Sequence, residues 1–532
     1  MLYESTRGGG AKIGFEEAII KGIADDGGLY VPERIPKVSP EFIASLAGMD
    51  YCGAAAKIVS LFTEDFTSGE IMECARRAYN ARSFASPDVT PLRKLGDRVS
   101  VLELYHGPTA AFKDVALQLL PPMLTASMQK TGVKDTVAIL VATSGDTGKA
   151  ALEGYKDVPG ARILVFYPKD GVSEAQKLQM ITQEGANVAV AAVEGNFDDA
   201  QTGVKAIFAD ADANARLGGH GLRLSSANSI NWGRLMPQIV YYFRAYAALL
   251  GGGDIQNGEP VNFAVPTGNF GNILAGWYAR EMGLPVSRLI CASNSNNVLT
   301  DFINTGVYDR NREFMVTMSP SMDILVSSNL ERLLYELSGR SAGFVAERMG
   351  ELSRSGRYDA GEAFRGKMAS LFYGGYAGEK ETAEAIRDAY NRYGYLIDTH
   401  TAVGMHVLKE FEKTGGVGSG ADRAAGGRGG VDAQSGSGSQ PGAKTVVVST
   451  ASPYKFAKDV YLAICGGGEC ENLGRPSQED ADDIKYIELL NDLTGVPVPE
   501  SLRNLRGKKI RHFTVTPIES MKETAIKLLT SL

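Results

Sequence analysis

The stretch HGPTAAFKDVALQLL, residues 106–120, opens with a turn-like HGPT and continues as a helix with one lysine set among apolar residues. At about 100° per residue, Phe112, Val115, Ala116 and Leu119 form an apolar stripe, and Asp114 with Gln118 a narrow polar edge opposite it. Lys113 falls on neither; it lies between Ala116, Leu117 and Leu120. A lysine so placed ordinarily lays its stem on apolar surface and keeps its ammonium in water. The other reading is chemical. Desolvation disfavours a charged amine by up to about 3–5 pKa units, and a neutral amine attacks a carbonyl to form a Schiff base. The rest of the chain has to choose between the two.

Downstream, short β-rich runs alternate with polar turns and helical patterns: TVAILVAT (136–143), RILVFYP (162–168), NVAVAAV (187–193), VNFAVPT (261–267), RLICASN (288–294) and TVVVST (445–450). Such alternation predicts parallel α/β layers. Upstream, residues 16–27 and 68–82 read as amphipathic helices, and the two prolines of SFASPDVTPL predict a boundary near residue 90. Residues 414–443 are rich in Gly, Ser and Ala, with almost no large apolar side chains. Such a segment cannot offset its ordering entropy and reads as a disordered insertion.

Composition excludes several classes. The chain has 532 residues, 44% apolar and 22% charged, with a formal net charge of −7, so no electrostatic reason points to nucleic acid or an anionic membrane as partner. The opening MLYESTRGGG lacks the basic region and apolar core of a signal peptide, and no apolar run is long enough to span a bilayer. A soluble, cytoplasmic protein is expected; oligomeric state leaves no signal. Five cysteines, at 52, 74, 291, 465 and 470, fit neither a disulfide framework nor a four-cysteine zinc site, and Cys465 and Cys470 read as incidental. The five histidines contain no HExxH pair, so no metal ligands are expected.

Three loops at strand ends carry chemistry. In TGNFGN, residues 267–272, Gly268 and Gly271 sit where a strand turns into a helix, a geometry that presents backbone N–H groups and the positive end of a helix dipole to an anion. A tight packing turn explains such a pair equally well, and no G-x-G-x-x-G pattern is present. The second loop, ATSGDTGKAALEGY (142–155), looks superficially like a nucleotide P-loop. With Gly148 and Lys149 as its GK pair, however, a Walker motif needs glycine at Thr143 and Ser or Thr at Ala150. What remains is Ser144, Gly145, Asp146 and Thr147 at a strand-to-helix junction, suited to a carboxylate or ring hydroxyl, or to a plain N-cap. The third, STASPYKF (449–456), puts the hydroxyls of Ser449 and Thr450 at a strand's carboxyl end, where open α/β sheets bind ligands. A desolvated lysine, a glycine loop for phosphate and a neutral hydroxyl for a pyridine nitrogen together specify pyridoxal phosphate.

With these motifs in hand, the sequence resembles the threonine synthases of the long bacterial and fungal form. HGPTAAFKDVALQ looks like that family's lysine motif; ATSGDTGKAA, SINWGR (229–234), VPTGNFGNILAG and STASPYKF are similar to further blocks in the same order. STRGGG followed by GLYVPERIP resembles the family's N-terminal domain, and DTHTAVG (398–404) its late segment. The likeness implies a tryptophan-synthase-β-like fold, type II among pyridoxal-phosphate enzymes, with two α/β halves and a small added N-terminal domain. It divides the chain into 1–90, a catalytic region 91–413, the insertion 414–443 and the remainder of the catalytic region with C-terminal helices 444–532. It makes Lys113 the Schiff-base residue, gives the cofactor phosphate to Gly268, Asn269, Phe270, Gly271 and Asn272, and the pyridine-nitrogen contact to Thr450. Ser452 and Tyr454 depart from the His and Ala of many relatives. The implied reaction turns O-phospho-L-homoserine and water into L-threonine and phosphate. Candidate donors to the substrate phosphate are Ser144, Thr147, Lys149, Asn231 and Arg234, the last equally suited to a structural ion pair. Two alternatives are a related phospholyase that ends in 2-oxobutyrate and a non-catalytic binding module of the same fold.

Overall fold

The computed structural model describes residues 1–143, 145–170, 172–415, 443–466, 483–503 and 505–532. Ser144, Cys470 and residues 416–442 of the insertion lie outside them. All six β-rich runs form strands, and they divide between two sheets. One has the order Phe372–Tyr376, Val286–Ser293, Val261–Pro266, Thr445–Ser449, Val99–Glu103, Leu92–Lys94. Its neighbours are parallel except for the last pair. The other runs Thr514–Pro517, Val188–Glu194, Ala161–Pro168, Thr136–Ala142, Leu222–Ser225, parallel throughout. Parallel neighbours require long crossovers, here mostly helical, that cover the faces. For that reason a strand such as Val137–Ala142 is buried at every residue.

The helix Trp232–Gly251 is buried nearly all round and packs on both the lysine helix, Lys113–Thr131, and the helix Gly271–Met282 that follows the glycine loop. Its first residue, Trp232, also meets Tyr3 and Phe62, with ring centroids 5.7 and 5.6 Å away. The N-terminal antiparallel strands Leu2–Ser5, Ile13–Gly14 and Tyr30–Pro32 are thereby joined to the α/β core. Among the described residues no helix is long and apolar enough to cross a membrane.

Three local expectations need correction. The helix expected over 16–27 ends at Lys21, because Gly22 turns left-handed at φ 76°, where a Cβ would lie 3.0 Å from Asn231 Nδ2. The helix expected over 68–82 ends at Ala78, because Tyr79 leaves helical geometry, packs 4.8 Å from the Tyr51 ring and donates its hydroxyl to the Val115 carbonyl at 2.9 Å. Cys52, Cys74 and Cys291 are free thiols, whereas Cys465, buried at the end of the helix Ala457–Cys465, is disulfide-bonded and so is not incidental.

Candidate active site

Lys113 is the first residue of its helix, and the turn before it is fastened to the third loop. The Phe112 N–H donates to the Thr450 carbonyl at 2.8 Å, and the Ser452 N–H to the Ala110 carbonyl at 3.0 Å. Asp114, expected on a polar edge, is instead fully buried. HGPT folds back over it, and its carboxylate accepts from the Thr109 N–H at 2.8 Å and hydroxyl at 2.6 Å. Gly107 allows this approach, since a Cβ there would lie 2.4 Å from the Asp114 side chain. Burial pushes the Asp114 carboxyl up to about 6 despite those donors. The lysine therefore rises from a platform fixed at both ends.

The Lys113 side chain is 12% exposed. Its Nζ lies 3.5 Å from Ser321 Oγ and 3.7 Å from Asp146 Oδ2. Burial lowers its proton affinity below that of an ordinary lysine; Asp146 opposes the shift, while the charges of Lys455 and Arg234 add to it. Asp146 opens the helix Asp146–Tyr155 at the end of the strand Thr136–Ala142. Its Oδ1 accepts from Lys455 Nζ at 2.8 Å and Gln176 Nε2 at 3.0 Å, and its Oδ2 from Ser321 Oγ at 3.1 Å. Burial alone would raise the Asp146 carboxyl, but Lys455 and Lys113 hold it far below the usual carboxylate range. Lys455, 1% exposed, also donates to the Thr109 carbonyl at 2.9 Å. Two amines thus share one carboxylate, and the closer one, Lys455, takes most of its charge.

The glycine loop leaves the strand Val261–Pro266 beside Thr450, which leaves the parallel neighbour Thr445–Ser449, so both emerge at one carboxyl edge. Gly268 is required by packing: a Cβ there would meet the Ser321 carbonyl at 2.9 Å, and this same Ser321 touches Lys113. Gly271 is different. A Cβ there would stand in ordinary contact with Asn329 Nδ2 at 3.4 Å and Ser229 Cβ at 3.6 Å, at the first residue of the helix Gly271–Met282. That helix starts without a side-chain cap, leaving its first N–H groups without acceptors in the helix. Phe270, in left-handed conformation at φ 62°, is buried against Phe372 at 5.7 Å. Asn272 takes the Tyr241 and Tyr242 hydroxyls on Oδ1 at 2.6 and 2.9 Å, while its buried Nδ2 finds no acceptor among the described residues. An uncapped helix start and an orphaned amide donor together fit an anionic phosphate.

The other candidates separate. Asn231 caps the helix Trp232–Gly251 and donates to the Ile19 carbonyl at 2.9 Å; Lys149 pairs with Glu153 at 2.9 Å. Thr147 is half-buried in the first turn after Asp146, and Ser144 lies outside the described residues. Arg234 is buried without an ion pair among the described residues: one guanidinium nitrogen meets the Ala227 carbonyl and Nε has no acceptor. Burial depresses it to about 10. Sequence reasoning did not single out Lys455, Ser321 or the chain His400–Asp398. In that chain the Ser321 N–H donates to His400 Nε2 at 3.1 Å, and His400 Nδ1 lies 2.9 Å from Asp398 Oδ1. Lys455 and His400 fall within quoted motifs, STASPYKF and DTHTAVG; Ser321 has no such signal. The departing Tyr454 sends its hydroxyl to the Val496 carbonyl.

Comparison with known proteins gives the family. The family described as "Threonine synthase N terminus" matches residues 2–79, and "Pyridoxal-phosphate dependent enzyme" matches residues 85–363. A threonine synthase from Pseudomonas aeruginosa is 43% identical over 78% of this chain and 85% of its own. The crystal structure of pyridoxal-phosphate-bound threonine synthase from Brucella melitensis superposes with a TM-score of 0.81 at 36% identity, covering 99% of both chains. That of the yeast threonine synthase gives 0.82 at 31%, covering 100% of this chain and 99% of its own. With its two α/β halves, N-terminal domain, buried lysine and glycine loop, the chain belongs to the threonine synthase family of pyridoxal-phosphate-dependent enzymes.

Proposed function

We propose that the protein converts O-phospho-L-homoserine and water into L-threonine and inorganic phosphate in the cytoplasm, with Lys113 as the catalytic amine. When bound, pyridoxal phosphate supplies an aldehyde for a primary amine and a conjugated ring that takes up the negative charge left at the substrate Cα. Gly268, Asn269, Phe270, Gly271 and Asn272 would hold its phosphate, and the Thr450 hydroxyl would serve the ring nitrogen. A hydroxyl there does not keep that nitrogen charged as a carboxylate would, which restrains side reactions such as transamination. Lys113 would be the amine that bonds to that aldehyde and, when free, the base placed to take protons from the substrate Cα and Cβ. Phosphate leaves Cγ, water adds at Cβ, and Lys113 returns protons to Cγ and Cα. The observation that carries this reading is a desolvated amine of lowered proton affinity, linked through Ser321 to the glycine loop and through Phe112 to Thr450.

Incubation with O-phospho-L-homoserine tests it: L-threonine and phosphate are expected in equal amounts, and 2-oxobutyrate as the main product would assign the phospholyase reaction instead. Arg234, a buried guanidinium with an idle nitrogen close enough to influence Lys113, is the donor best suited to the substrate phosphate. Arg234→Met is expected to raise KM for O-phospho-L-homoserine by roughly tenfold to a hundredfold, with a smaller change in kcat. An unchanged KM would remove Arg234 from the site.

A further inference from the structure

The N-terminal motif STRGGG takes no part in the chemistry above, yet its side chains reach the wall of the phosphate loop. The Thr6 hydroxyl donates to Glu331 Oε1 at 2.7 Å, and Arg7 pairs with both oxygens of the same carboxylate, Nε to Oε1 at 2.9 Å and Nη2 to Oε2 at 2.8 Å. Glu331 is 5% exposed and lies in the first turn of the helix Leu330–Leu337, which follows Asn329. An asparagine at this position ordinarily caps its own helix. Asn329 does not: its Nδ2 donates to the Asn269 carbonyl at 3.0 Å, and its backbone N–H donates to that carbonyl at 3.1 Å. Two residues earlier, the Ser327 hydroxyl donates to the Gly268 carbonyl at 2.8 Å.

The C=O and N–H of a trans peptide point in opposite directions. Pinning the carbonyls of Gly268 and Asn269 against residues 327–329 therefore turns the N–H groups of Asn269 and Phe270 the other way, as an anion-binding turn requires. We propose that Thr6 and Arg7 are positioning residues of the cofactor phosphate site. By holding Glu331 they fix the segment 327–331, whose Ser327 and Asn329 aim the peptides of the glycine loop. The N-terminal strand thereby sets phosphate affinity without touching the cofactor. This rests on the assignment of the phosphate to residues 268–272.

The test compares binding of pyridoxal phosphate and of pyridoxal, which lacks the phosphate, to the full-length cofactor-free protein, by titration of the absorbance change. Glu331→Gln and, as a charge-neutral second variant, Thr6→Val are each expected to weaken pyridoxal phosphate on the order of tenfold and to leave pyridoxal within about twofold. Glu331→Gln separates positioning from simple electrostatics, because removing a negative charge would by itself tighten phosphate binding. Unchanged or tighter binding in both variants, or equal weakening of both ligands, overturns the proposal. Gly271→Val, which adds a side chain at the first residue of the uncapped helix Gly271–Met282, serves as the reference. If it weakens pyridoxal phosphate selectively while the two variants do not, the positioning role falls and the phosphate assignment stands; if it too fails to discriminate, both fall.

Discussion

Replacing Lys113 by alanine is expected to lower turnover of O-phospho-L-homoserine by at least roughly 10³–10⁴-fold, because one amine carries both the covalent step and the proton transfers. The protein should still fold. Lys113 stands at the start of its helix, where alanine is a good helix former. The carboxylate it leaves behind, Asp146, keeps Lys455 at 2.8 Å against the 3.7 Å of Lys113, so no buried charge is stranded. Phosphate release by the variant, measured beside its thermal unfolding, separates lost chemistry from lost structure. Activity within tenfold of the parent would move the reaction to another group.

Asp146→Asn should have the opposite signature, a large loss of stability. It strips the carboxylate from Lys455, which is 1% exposed and would retain only neutral acceptors such as the Thr109 carbonyl. Removing one partner of a buried ion pair typically costs about 3–5 kcal/mol, because the remaining charge stays desolvated. The sign with pH follows. Burial already lowers the proton affinity of Lys113 and Asp146 opposes the shift, so without that carboxylate its folded-state pKa falls further below the unfolded value of about 10.4. The unfolded chain then binds more protons between the two values, so stability recovers as pH rises. Urea unfolding of the cofactor-free variant should show the full deficit near about pH 7 and a smaller one near about pH 9.5. A deficit under about 1 kcal/mol at neutral pH would show that Asp146 does not hold Lys455 in the way the geometry implies.

Much of this architecture is legible in the chain because its signals are local. The runs around Ile139, Val165 and Val447 are apolar at consecutive positions rather than alternate ones, as strands covered on both faces are. Gly268 and Gly271 mark a strand-to-helix turn, and Lys113 is conspicuous against Ala116, Leu117 and Leu120. Other features depend on contacts across long separations. Asp114 looks solvated on a helical wheel, and only the return of Thr109 over Gly107 buries it. Lys455 reads as one more lysine until Asp146, more than three hundred positions earlier, is set beside it. Ser321 lies in a segment with no periodicity. The roles of Thr6 and Arg7 depend on Glu331, whose partners no local pattern reveals.

The most direct test is borohydride reduction of the yellow holoenzyme followed by peptide mapping. Two buried lysines flank Asp146, and the cofactor can be trapped on only one at a time. A phosphopyridoxyl group on the peptide containing Lys113 is the expected result; the same group on Lys455, or none on either lysine, would contradict it.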